Sequence, residues 1–174
     1  MPATASTSGP ASAEAAAQRL HAVRRALQLT ARRRRTEHEL REALGGEFAD
    51  QEVEHAVTRL RDLEYINDTA WAVDYVARDR SSRLSASVLR RELLGHGVAA
   101  EVAAAALDGY DDVAAAFRAA ERRLPSLRRL SAKRRAVRLT GHLQRRGFGW
   151  STVHAVFAGI AASAEIDIGH VTAD

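Results

Sequence analysis

The chain has no cysteine, so disulfides and thiolate metal sites are excluded, and a reducing cytoplasm suits it. Aromatic residues make up only 5% of the 174 residues, so the core must be built from Leu, Val and Ala. Three prolines leave long stretches free to be helical. No segment alternates apolar and polar residues with the β-branched enrichment of a strand. No apolar run approaches the roughly 20 residues that span a bilayer. The N-terminus lacks the basic segment and apolar stretch of a secretory signal. A soluble cytoplasmic protein, monomeric and all-α, is expected. Lysine is nearly missing: of 26 basic side chains, only Lys133 is not arginine.

What is present is organised around residues 36–68, TEHELREALGGEFADQEVEHAVTRLRDLEYIND. Leu40, Ala43 and Leu44 mark the apolar face of one helix. Val53, Ala56, Val57, Leu60 and Leu63 mark the next, at helical intervals. Thr36 and Glu39 have capping-box spacing, so the first of these helices starts there. Gly45-Gly46 is expected to break the chain between them by entering left-handed backbone. A helix before this stretch, about 14–30, turns Ala16, Leu20, Val23 and Leu27 to one side.

The pattern recurs. Leu89 and Leu93 stand where Leu40 and Leu44 stand, followed by Gly97-Val98, Val102 and Leu107. Leu139 and Leu143 come next, followed by Gly147-Phe148, Val153, Val156 and Phe157. The offsets are 49 and 50 residues. Each copy is preceded by a helix, at 14–30, 68–79 and 111–123. A period near fifty indicates an internal repeat. The expected organisation is three tandem three-helix repeats at 14–64, 65–110 and 111–160, after a flexible leader 1–13 and before a weakly periodic tail 161–174.

Charge is unevenly placed. Residues 15–35 carry seven arginines and no acid, and residues 37–64 carry nine acids against three arginines. Residues 118–146 carry eleven basic side chains against Glu121. Basic blocks near both ends of the sequence suit anionic partners, and the acidic middle suits a basic one. The candidate partner- or DNA-binding residues are Arg32, Arg33, Arg34, Arg35, Arg80, Arg83, Arg90, Arg91, Arg134, Arg135, Arg138, Arg145 and Arg146. In the helix from about 131 to 146, Arg134, Arg138 and Arg145 lie opposite the apolar line Ala132, Ala136, Leu139 and Leu143, with Arg135 beside them. This reads as a basic ridge suited to phosphates or to acidic protein surface.

No catalytic constellation accompanies these blocks. The seven histidines form no His-Glu-x-x-His pair, no glycine-rich phosphate loop is present, and no serine sits in a nucleophile elbow. No enzyme activity, metal or cofactor is expected. Trp71 and Trp150 stand at helix starts, where packing between repeats is expected over base stacking.

The succession ALQLTARRRRTEHEL, DQEVEHAVTRLRDLEYIND, WAVDYVARDR, LRRELLGHGV and LQRRGF resembles the RecX family, bacterial regulators of the RecA recombinase, over about residues 22–160. The resemblance implies an elongated, curved rod of three-helix repeats. It also implies a sequence-independent contact with DNA in the RecA filament groove, and restraint of ATP hydrolysis, strand exchange and recombination. One departure stands out: Phe48 follows Leu44 by four positions, whereas Val98 and Phe148 follow Leu93 and Leu143 by five. Two other classes fit less well. A helix-turn-helix regulator would need arginine with Asn or Gln on its recognition helix. A helical scaffold would bind no nucleic acid at all.

Overall fold

A computed structural model describes the backbone of residues 10–171 and the side chains of residues 12–162. These residues form nine α-helices and no strand. They are α1 (Pro10–Arg32), α2 (Glu37–Gly45), α3 (Asp50–Asp62), α4 (Asp68–Ala77), α5 (Ala86–Gly95), α6 (Ala100–Ala106), α7 (Asp112–Arg123), α8 (Ala132–Gln144) and α9 (Trp150–Val171). Short 3-10 turns occupy Ser81–Arg83 and Leu124–Leu127. The order is that of three successive three-helix repeats. α1 begins at Pro10, inside the stretch expected as a leader; a proline tolerates a helix start because that N–H has no helical partner. α9 continues through the expected tail to Val171. The rest of the expected leader, residues 1–9, and residues 172–174 lie outside the described residues.

The described residues pack as two compact units, 10–72 with 94–102 and 73–93 with 103–171. In the first unit, Leu40 and Leu44 of α2 and Val53, Ala56, Val57 and Leu60 of α3 are buried against α1. The buried positions of α1 are Ala22, Ala26 and Leu29. This corrects the expected stripe: Val23 and Leu27 are only partly buried, Ala16 is exposed and Leu20 is 54% exposed. Alanine lets two helix axes approach closely, so the small residues take the contact line and the larger ones flank it. Leu63 is likewise exposed, because α3 ends at Asp62 and Glu64 turns the chain with φ 59°. In the second unit, Ala115, Ala116, Ala119 and Ala120 of α7 are buried in one core with Leu139, Leu143, Phe148, Val153 and Val156.

Each unit contains the same joint. In the first, Thr36 is fully buried at the N-cap of α2. Its hydroxyl accepts from the Glu39 amide at 3.1 Å and donates to the His96 carbonyl at 2.7 Å. Asp68, opening α4, accepts from the Glu37 amide at 2.9 Å. The turn after α5 therefore rests on the start of α2. Gly97, with φ +75°, comes so close that a Cβ there would collide with the His38 side chain. In the second unit, Ser85 is buried before α5, accepts from the Val88 amide at 3.3 Å, and gives its own amide to the Arg146 carbonyl at 3.0 Å. Asp112, opening α7, accepts from the Ala86 amide at 2.7 Å. Gly147, with φ +86°, leaves no room for a Cβ beside Ser85 and Val88.

The Gly45-Gly46 turn differs from the expectation. Gly46 is right-handed, with φ −81° and ψ −14°, and neither glycine has a positive φ. The Phe48 amide reaches back four residues to the Leu44 carbonyl, whereas the Phe148 amide reaches back five to Leu143. The turn that is one residue shorter closes without a left-handed residue.

Substitutions at these positions should separate joint from turn in urea denaturation. Thr36→Val removes a buried hydroxyl with two partners and is expected to cost about 1–3 kcal/mol. Gly147→Ala combines left-handed backbone with a clash and is expected to cost about 2 kcal/mol or more. Gly45→Ala, helical and in open space, is expected to gain about 0.5–1 kcal/mol.

Candidate partner interface

The arginines expected to meet a partner fall into several settings. Arg32, Arg33 and Arg34 are exposed where α1 ends, and Arg33 pairs with Glu39 at 3.2 Å. Arg35 is half-buried, its Nε enclosed without a hydrogen-bond partner. Arg80 lies 3.5 Å from Glu92, and Arg83 forks onto Asp79 at 2.6 and 2.8 Å. Arg90 and Arg91 are exposed on α5, and Arg145 is exposed just past α8.

The ridge on α8 is narrower than its sequence suggests. Lys133, Arg134 and Arg138 line a shallow groove of about 450 Å³ with Leu130 and Val137. Val137 is 67% exposed. Arg135 turns aside: its Nη2 donates to the Leu130 and Arg128 carbonyls at 3.4 and 3.5 Å. The first turn of α8 carries no acid, so cations stand at the helix end where the peptide dipole disfavours them. Arg134 and Arg138 are also like charges four residues apart. The ridge therefore works against helix stability.

A second cluster gathers residues distant in sequence. Arg83, Arg122, Arg123, His142 and Arg146, with Ala119, line a cavity of about 240 Å³. Arg83 ends the Ser81–Arg83 turn. That turn is held by the Tyr110 hydroxyl, which donates to the Ser81 and Leu84 carbonyls at 3.1 and 2.8 Å, and by Arg118 Nε, which donates to Ser82 at 2.9 Å. Arg122 and Arg123 close the last turn of α7, where the helix dipole favours them. His142 and Arg146 are one turn apart, with Arg146 Nη1 3.3 Å from His142 Nδ1. Arg123 Nε is buried without a hydrogen-bond partner. Burial, followed by the charges of Arg146 and Arg123, pushes the His142 pKa down to about 4. Burial and the neighbouring guanidiniums of Arg83, Arg145 and Arg123 also lower that of Arg146. Sequence reasoning missed Arg122, Arg123 and His142. They belong to a basic block, but only the fold brings three separate segments together.

The acidic middle is partly consumed within the protein. Arg25 pairs with Glu47 at 2.7 Å; Arg41 bridges Glu37 at 3.1 Å and Glu54 at 2.7 Å; Arg61 reaches Glu37 at 3.3 Å. Less of this charge is left for a basic partner than the sequence count suggests. Of the two tryptophans, Trp71 is buried, its ring 5.0 Å from that of His96. Trp150 is 62% exposed beside His154, which corrects the expectation that it packs. Among the described residues, no helix is long and apolar enough to cross a membrane.

The fold defines an all-helical protein of tandem three-helix repeats. A family model described as RecX, third three-helix domain, matches residues 110–157. The regulatory protein RecX of Pelodictyon phaeoclathratiforme is 33% identical over 133 residues, covering 75% of this chain and 82% of that protein. The regulatory protein RecX of Thermobifida fusca is 33% identical over 147 residues, covering 80% of each. The crystal structure of RecX from Lactobacillus salivarius superposes with a TM-score of 0.71 at 20% identity, covering 84% of this chain and 99% of that one. The chain belongs to the RecX family and is a RecX-type regulatory protein.

The neutral His142 ring gives a pH signature. Below its ordinary pKa of 6.5 the unfolded chain holds a proton that the folded ring releases until about pH 4. Stability therefore falls as pH drops through this window, and His142→Gln is expected to flatten that part of the profile by on the order of 1 kcal/mol, allowing for solvent screening, in urea melts at stepped pH.

Proposed function

We propose that this protein binds the DNA-bound RecA filament along its groove and restrains ATP hydrolysis and strand exchange. It acts as a monomer in the cytoplasm, by occupancy, with no cofactor and no chemistry of its own. Membership of the RecX family supports the reading, and the observation that carries it is the cationic groove at the start of α8. That groove presents Lys133, Arg134 and Arg138 around the exposed Val137, with Lys133 and Arg134 in a first turn that carries no acid and Arg138 one turn further on. A surface unfavourable to its own helix is suited to phosphate or carboxylate on a partner. Several repeats in one chain add avidity to contacts that are weak alone.

A helix-turn-helix reading has less support. The exposed positions of α3 are Asp50, Gln51, Glu54, His55, Thr58, Arg59, Arg61 and Asp62, with Arg61 paired to Glu37, and those of α6 are Ala100, Glu101, Ala104 and Ala105. The face of α6 has neither a cation for phosphate nor an amide to read base edges, and on α3 the acids Asp50, Glu54 and Asp62 offset Arg59 and Arg61.

The test is RecA ATPase on single-stranded DNA, with filament co-sedimentation across a salt series. Slowed hydrolysis and salt-sensitive co-sedimentation are expected; unchanged hydrolysis with no co-sedimentation would sink the proposal. Replacing Lys133, Arg134 and Arg138 together by Ala is expected to weaken binding and to lower the log–log salt slope by about 2–3, with helical content intact by circular dichroism. Arg135→Ala, which removes a side chain already bonded to carbonyls, is expected to change binding far less.

A further inference from the structure

We propose that the cavity enclosed by Arg83, Arg122, Arg123, His142 and Arg146 is a binding site for a phosphate oxyanion. Four guanidiniums from three segments converge on a space of about 240 Å³, and among the described residues no carboxylate lines it. The carboxylate attached to this group is Asp79, which holds Arg83 from an exposed position outside the lining. Arg123 and Arg146 form no ion pair with any described carboxylate, and Arg123 keeps a buried Nε unbonded. An enclosed donor without a partner costs free energy that an arriving acceptor would restore.

The other joint shows what is missing. In the first unit, the third residue past the cap is Glu39, whose carboxylate takes both Arg33 at 3.2 Å and His96 at 2.9 Å. The corresponding residue past Ser85 is Val88, so the second joint has the cations without the built-in anion. A carboxylate offers two oxygens, too few for four forks. A phosphate presents three or four oxygens in a tetrahedron and can accept from several at once.

His142 links the anion to a proton. Its Nδ1 lies 3.3 Å from Arg146 Nη1, a donor that suits an unprotonated Nδ1, while the Ala119 backbone favours the protonated ring. Arg123 on α7 and Arg145 and Arg146 beside it supply the positive field, with Arg83 and Arg122 around the same cavity. A phosphate seated among them reverses that field, so binding and protonation of His142 favour each other. The ligand is either a backbone phosphate of a nucleic acid or a free phosphate group. The site stands apart from the recombinase proposal, because it is tested on the free chain without recombinase.

The experiment titrates inorganic phosphate against chloride at matched ionic strength into the full chain, following Tm and the His142 ring by NMR. A saturable rise in Tm is expected, with the His142 pKa moving up by about one unit or more. Arg123→Gln, which breaks no intramolecular bond of that side chain, is expected to weaken phosphate at least about tenfold, while Arg123→Lys retains more of the affinity. If oligo(dT) then displaces phosphate from His142, the natural source is a nucleic-acid backbone; if phosphate stays bound, it is a small phosphorylated ligand. An unmoved His142, or an equal rise in Tm for wild type and Arg123→Gln, overturns the proposal.

Discussion

The constraint on which both units depend is a buried helix N-terminus that must be satisfied from three directions at once. The first amides of a helix have no partner inside it. At the starts of α2 and α5 those amides are packed under a neighbouring turn, which shields them in part from water. The protein meets the need with a small hydroxyl residue, Thr36 or Ser85, at the cap, and with a carboxylate from the helix that opens the next repeat, Asp68 or Asp112. The backbone of the following turn closes the set through the His96 or Arg146 carbonyl. Each partner lies at a different sequence distance, so all three bonds form in one register only. The glycine beside each carbonyl answers two demands together, positive φ and close approach, and no other residue meets both.

The same geometry places the charge. Arg146 gives its carbonyl to the joint, and its side chain is thereby delivered to the cavity. Arg83 lies two residues before the cap Ser85 and is carried in by the Ser81–Arg83 turn. The last turn of α7 supplies Arg122 and Arg123 from the helix whose first residue, Asp112, caps α5. The arginine cavity is thus an outgrowth of a structural joint. The groove on α8 differs in kind, since its cations are exposed and held by one helix.

These relations explain what was legible in the sequence. Leu40 with Leu44, Leu89 with Leu93 and Leu139 with Leu143 were readable because a leucine pair one turn apart before a glycine turn is a local pattern, and all six are buried. Thr36 was readable as a cap for the same reason. Glu39, however, completes only half of a capping box: it gives its amide to Thr36 and its carboxylate to Arg33 and His96. The face of α1 was not legible, because hydropathy ranks Leu20 above Ala22 and Ala26 while close helix approach reverses that order. The Gly45-Gly46 pair misled because glycine marks a turn without specifying its hand. Arg122, Arg123 and His142 carry no local signal, since their meaning lies in convergence with Arg83 and Arg146, which stand 63 positions apart.

Arginines in this protein therefore divide by what answers their charge. Arg25, Arg41, Arg61 and Arg83 each have a carboxylate within 3.3 Å, and such exposed pairs stabilise weakly while discharging the surface. Arg134 stands at a helix start that disfavours it with the like charge of Arg138 one turn on, and Arg123 and Arg146 share a cavity with other guanidiniums. Neither arrangement is answered by a carboxylate ion pair among the described residues, and like charges held together repel. An interaction that costs the free state and is relieved by an anion strengthens binding by the amount of that relief. The leucine pairs and capped joints build the scaffold that holds these uncompensated cations in place, which is what the proposed contacts with anionic groups require.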